Sequence, residues 1–169
     1  MVIAKKTLFA VLLLALGTAF AQEGEWKDYS YSDDGFSLSV PAPAVAKRDT
    51  SHAKDGTEIH NYYYTITPDA GYMATVTNFH RKDLNPATVL QRIKNSTVSA
   101  AKGRLISQKP VTLGKARGVQ FEFASKAYHG RVRYYFLDGK LFGVMCLVPP
   151  GQPLLSGANR FLDSLHLLQ

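Results

Sequence analysis

The sequence predicts an α+β fold, an antiparallel β-sheet with helices packed on its faces. Three observations carry that prediction. Stretches rich in Tyr, Val, Ile and Thr recur with period-two patterning, separated by Asp-Gly or Pro/Gly corners. One long central segment changes to helical spacing and has start and stop signals. A short apolar segment with helical spacing closes the chain. An all-β barrel with one helix is the alternative, and a well-capped central helix argues against it.

In chain order, Tyr29-Ser-Tyr31 and Phe36-Ser-Leu38-Ser-Val40 flank Asp33-Asp34-Gly35 and read as a hairpin ended by Pro41-Ala-Pro43. Residues 44–56 are polar and read as a loop or a ragged edge. Thr57–Thr67 and Tyr72–His80 follow as strands, joined at Pro68-Asp69-Ala70-Gly71, where Pro sets φ and Gly is expected at positive φ. Asn85-Pro86 starts a helix of about residues 86–102, with Leu90, Ile93, Thr97 and Ala101 on one face and Gly103 as its stop. Leu105–Leu113, interrupted by Pro110, and Gly118–Ser125 come next. Arg131–Leu137 and Leu141–Val148 form a hairpin across Asp138-Gly139. Leu141–Val148 is apolar on both faces, so it belongs at the centre of the sheet. Ser156 caps a last short helix presenting Phe161, Leu162 and Leu165.

Lys5-Lys6, the apolar run Thr7–Leu16 and the small residues Ala19 and Ala21 make residues 1–21 a cleavable export signal of bacterial type. The run is shorter than the roughly 20 residues that a membrane-crossing helix needs. Residues 22–169 are then a single domain, periplasmic or secreted, with no transmembrane span after cleavage. Two of the 20 Lys and Arg residues fall in the signal, so the remainder faces 13 Asp and Glu with a formal charge of +5. That balance permits anionic partners without demanding them. Cys146 is the single cysteine, so the domain stands on its core and not on disulfides.

The aromatic start, Gly35-Phe36-Ser-Leu-Ser-Val40-Pro41, the strand pair, the central helix, the further strands and the closing Arg160-Phe161-Leu-Asp-Ser164-Leu165 form a recognisable order. Over most of residues 26–168 it resembles the PsbP-like domains. These are named for an extrinsic photosystem II subunit and occur also in a nuclear import factor and in bacterial exported proteins. The resemblance implies an α/β/α sandwich used to bind other proteins. It implies no shared set of catalytic residues and transfers no functional residue to this chain.

No nucleophile elbow, phosphate loop, HExxH or paired-cysteine motif is present, so no catalytic residue and no cofactor is assigned. A metal reading pairs His60 with His80. If Ile66 stands opposite Tyr72, His60 faces Asn78, His80 faces Glu58, and all four share one side of the ribbon. A register slip of one residue separates the histidines onto opposite faces. Solvated polar residues on a half-exposed sheet account for the same pattern. Asp33-Asp34 is a turn and not an acid/base pair, because adjacent side chains diverge. Cys146 reads as a buried small hydrophobe, and the sequon at Asn95-Ser96-Thr97 falls inside the helix. Tyr62 and Tyr64 share a strand face suited to contact, although tyrosine is also an ordinary strand former. Arg131 and Arg133 emerge together near Lys126 and His129 as a basic patch, with a plain solvated face as the competing reading.

These readings favour a non-catalytic accessory domain that docks on another envelope or extracellular protein through Tyr62, Tyr64, Lys126, His129, Arg131 and Arg133. A small-ligand or anion binder of the periplasm is the alternative, and a metal protein or enzyme built on Glu58, His60 and His80 the third reading. Nucleic acid is excluded as a partner, because the aromatics are not interleaved with a basic stripe.

Overall fold

The structure, a computed structural model, describes residues 26–41, 43–53, 56–80, 83–154 and 156–168. The export signal read at residues 1–21 lies outside them. The first hairpin forms as its sequence predicts. Strands β1 (Lys27–Tyr31) and β2 (Phe36–Val40) pair with Tyr31 opposite Phe36, and Gly35 takes a φ of 81° at the corner.

Of the two readings of the polar stretch after Pro43, loop or ragged edge, the structure shows the edge. It forms β3 (Val45–Ala53), an edge strand pairing along its whole length with β4 (Gly56–Ile66). An edge strand has water on its outer side and needs no continuous apolar pattern, which is why its composition reads as loop. The next corner differs in detail as well. Gly71 opens β5 (Gly71–Asn78) as a paired strand residue, and the turn closes by Thr67 N donating to Ala70 O at 2.8 Å. Among the described glycines positive φ occurs at residues 35, 114, 139 and 151.

Helix α1 (Pro86–Ala100) starts where its cap predicts. The Asn85 side chain accepts from Ala87 N at 2.9 Å and Thr88 N at 3.2 Å, with proline in the first turn. Its stop is Lys102, at a φ of 49°, with Lys102 N donating to Ser99 O and Gly103 N to Val98 O. This is a Schellman closure with lysine in the left-handed position usually held by glycine. Gly103 is needed for its smallness instead. A Cβ there would stand 2.9 Å from Ala124 O, so glycine lets the chain pass close to the neighbouring strand.

Strands β6 (Arg104–Leu113), β7 (Ala116–Ala124), β8 (His129–Leu137) and β9 (Lys140–Val148) follow as meandering hairpins. Asp138 and Gly139 turn the last of these with φ of 48° and 77°, the left-handed pair that matches strand twist. Helix α2 (Ser156–Asp163) and a two-residue strand β10 (His166–Leu167) end the described chain. The side chain of Ser156, the expected cap, is outside the described residues.

Seven strands form one sheet in the order β3-β4-β5-β9-β8-β7-β6, and β1-β2-β10 form a small second sheet. The apolar run Leu141–Val148 is therefore the central strand, buried on both faces. The large sheet is open, with edges at β3 and β6, so the barrel alternative does not apply.

Side-chain alternation divides the core in two. On one face α1 packs on β6–β8, where Val89 and Leu90 meet Phe121, Phe123, Val132 and Met145. On the other face α2 and the small sheet enclose Phe36, Leu38, Tyr72, Val144, Phe161 and Leu162. Phe36, Phe121, Phe123 and Phe161 are each 1 % exposed or less, and burial of each stabilises by about 1.5–3 kcal/mol. Layers of helix, seven-stranded sheet, and small sheet with helix make the sandwich.

Candidate functional site

The register of β4 and β5 decides the metal reading. Thr65, not Ile66, stands opposite Tyr72, so the pairing is one residue away from the one the histidine pair requires. His60 consequently faces Thr77, and its Nδ1 lies 2.9 Å from Thr77 Oγ1. Its Nε2 lies 3.0 Å from Ser51 Oγ and 3.5 Å from Glu58 Oε2. His80 falls beyond the end of β5 at a φ of 51°, exposed, with its N–H bonded to Asn78 Oδ1 at 3.0 Å. Glu58 and His60 therefore come together and His80 does not join them. No group of three His, Cys, Asp or Glu side chains suited to a metal ion occurs among the described residues.

The expected aromatic and basic surface divides across the sheet. Following the pairing, Tyr62 lies in one row with Thr75, Gly143 and Tyr134, whereas Arg133 lies in the next row with Val144, Ala74 and Tyr63. Adjacent rows point to opposite faces. Tyr62 and Tyr64 are thus on the α1 side, and Arg131 and Arg133 on the α2 side.

The two arginines are structural. Arg131 donates from Nε to Glu122 Oε1 at 2.8 Å and from Nη1 to Asn159 Oδ1 on α2. Arg133 donates from Nε to Gln120 Oε1 at 2.7 Å, and from Nη1 to Leu162 O at 3.1 Å and Asp163 Oδ1 at 2.6 Å. Their charges are met by Glu122 and Asp163, and their forks fasten α2 to β7 and β8. They are not a free basic patch. Periodicity places both on one face correctly but carries no information about the acids across the strand and on the helix.

His129 stands on the same face as the arginines, with Nδ1 3.3 Å from Gln152 O and Nε2 3.7 Å from Glu122 Oε2. Lys126 is exposed in the turn before it. With Ile106, Tyr128, Pro150 and Pro153, His129 lines a shallow cleft of about 360 Å³. That volume is near the lower end for small-molecule sites, and its lining brings no cluster of charged groups together.

Tyr62 and Tyr64 have a more informative setting. Val45 stands directly opposite Tyr64, and Lys47 opposite Tyr62. Val45 is 53 % exposed, and both tyrosines are half-buried. Helix α1 covers mainly β6–β8, so this strip of β3 and β4 borders the helix without lying beneath it. Burial, with Asp49 and Tyr134 nearby, pushes the Tyr62 phenol up to about 12, so it is a neutral hydrogen-bonding group at ordinary pH. Val45 and Lys47 escape a reading by composition because their segment reads as loop. Their alternation after Pro43 is the signal that finds them.

The neighbouring Tyr63 points the other way, into the small sheet. Its hydroxyl and Asn61 Nδ2 both donate to the Asp34 carboxylate in the β1–β2 corner. Burial and that hydrogen bond raise its pKa. Cys146 is 1 % exposed, and burial pushes its thiol up to about 12, as a core residue requires.

No family model matches the sequence, and no curated protein matches it. The fold does have a match among solved structures. The solution structure of cyanobacterial PsbP (CyanoP) from Synechocystis superposes with a TM-score of 0.57 at 12 % sequence identity, covering 89 % of this chain and 97 % of that one. The fold is PsbP-like.

Proposed function

We propose that this PsbP-like domain is an exported, non-catalytic accessory domain that docks on another envelope protein through the α1-side face of β3 and β4. The observation that carries the reading is the strip of Val45, Tyr62 and Tyr64, contiguous by register and lying beside the helix. Tyrosine offers large contact area with little rotamer entropy to lose, and it is enriched where proteins meet. Lys47, Asp49 and Glu58 border the strip with both signs of charge, which suits a mixed polar rim on a protein partner. In place of Arg131 and Arg133, which hold the fold together, the docking residues are Val45, Lys47, Tyr62 and Tyr64.

Affinity capture from an envelope extract tests this, with three baits: the unaltered protein, Tyr62→Ser with Tyr64→Ser, and Arg131→Ala with Arg133→Ala. A partner retained by the unaltered bait and lost on the tyrosine variant supports the face. Equal retention on the tyrosine variant rejects it.

A further inference from the structure

The formal charge of +7 is confined to one part of the chain. Residues 84–121 contain Arg92, Lys94, Lys102, Arg104, Lys109, Lys115 and Arg117 and no acid, whereas the rest of the chain has 13 basic and 13 acidic residues. In the fold this stretch is α1, the edge strand β6 and the start of β7, which are neighbours in space. Lys94 is buried and bonded to Gln91 and Gln108. The other six are exposed, and none makes an ion pair among the described residues. Arg131 and Arg133, by contrast, are both matched by acids.

The six follow one edge of the molecule. Lys102 and Arg104 stand at one end of β6, Lys109 in its middle, Lys115 and Arg117 at its other end, and Arg92 on the adjoining helix. A ten-residue strand spans about 33 Å. Lys109 and Arg117 project to opposite faces of the sheet, because Lys109 pairs with Gln120 and Arg117 pairs with Thr112. Cations on both sides of a sheet edge can engage a plane that meets it edge-on. Leu105 and Ile106, 40 % and 46 % exposed, lie on the same edge. An added peptide strand is a poorer occupant. Pro110 lacks a donor, and the register shift between Leu105 and Ser107 interrupts the ladder.

We infer that the β6 edge, with Lys102, Arg104, Lys109, Lys115 and Arg117, rests on an anionic phospholipid surface. Each Lys or Arg near such a surface adds attraction that salt screens. The otherwise balanced charge leaves this edge to set the orientation. β6 and β3 are opposite edges of the seven-stranded sheet, so a membrane at β6 leaves the Tyr62 and Tyr64 face free.

The test is vesicle cosedimentation of the protein recovered after export, on phosphatidylcholine with and without phosphatidylglycerol, at low and high salt. One variant carries Lys109→Glu, Lys115→Glu and Arg117→Glu. A control with the same change in net charge carries Lys27→Glu, Arg48→Glu and Lys126→Glu, all exposed and outside residues 84–121. All three proteins share their N-terminal segment, so differences between them do not come from it. Unchanged thermal unfolding establishes that the variants fold. The expected result is phosphatidylglycerol-dependent, salt-sensitive binding, at least about a hundredfold weaker in the edge variant and largely retained in the control. Equal loss in both variants would reduce the effect to net charge and overturn the assignment. Binding to heparin or an acidic protein but not to vesicles overturns it too, as does no binding to phosphatidylglycerol at all.

Discussion

Arg133 on β8 donates to Asp163 at 2.6 Å and, through the same nitrogen, to the carbonyl of Leu162 at 3.1 Å, so one guanidinium holds the last turn of α2 against the sheet. Asp163 is well exposed, so its charge contributes the smaller share. The carbonyl and Gln120 bonds are shielded. Arg133→Ala should therefore destabilise by about 1–3 kcal/mol, while Asp163→Asn should cost less than about 1 kcal/mol. Urea unfolding of both variants measures this, and equal effects would contradict the division.

Gly143 sits under an aromatic ring. A Cβ there would stand 2.4 Å from Tyr134 Cε1 and 2.6 Å from Thr75 Oγ1. The Tyr134 hydroxyl is in turn 3.0 Å from Thr97 Oγ1 on α1. Gly143→Ala should push the ring off the strand and strain the α1 contact, at about 1–3 kcal/mol. Faster hydrogen exchange in α1 would accompany the loss, and protection equal to that of the unaltered protein would refute it.

Cys146 and Tyr62 both have pKa values raised to about 12 by burial. Their protonated forms are neutral, so the folded state keeps these protons while the unfolded chain releases them nearer to about 9 and 10. Between those values and about 12 the unfolded state binds fewer protons, and stability falls as pH rises. The unfolding temperature should decline from about pH 9 upward, and Cys146→Ala should decline less steeply. Identical slopes in the two proteins would show that the thiol does not contribute.

Zinc should leave the unfolding temperature of the protein unchanged, because the observed register withholds His80 from Glu58 and His60. His60→Ala should still destabilise modestly, by about 0.5–1.5 kcal/mol, through the lost Ser51 and Thr77 contacts. A stabilising zinc shift that disappears in His60→Ala would restore the metal reading.

Much of the fold is legible in the chain because its signals are local. Asp138-Gly139, Asn85-Pro86 and the apolar run Leu141–Val148 each specify an element without reference to anything distant. The misreadings come from relationships between elements. Lys102 takes the left-handed position, and the glycine after it fits against Ala124 on a distant strand. Val45–Ala53 reads equally as loop or ragged edge from its composition, and it is an edge strand because β4 offers it a partner. The division of Tyr62 from Arg133 depends on counting residues through three successive strand pairings, and a one-residue difference at the Thr65–Tyr72 pair inverts the outcome. The charge of residues 84–121 is plain in a tally along the chain, whereas a search for runs of adjacent like charges passes over it.

The most direct test of protein docking through the β3–β4 face is photo-crosslinking in intact cells, with a photoreactive residue at position 64, at position 109 or at position 126. Docking through this face predicts a discrete protein adduct from position 64 and none from positions 109 or 126. A protein adduct from position 109 or 126, with position 64 silent, would contradict it.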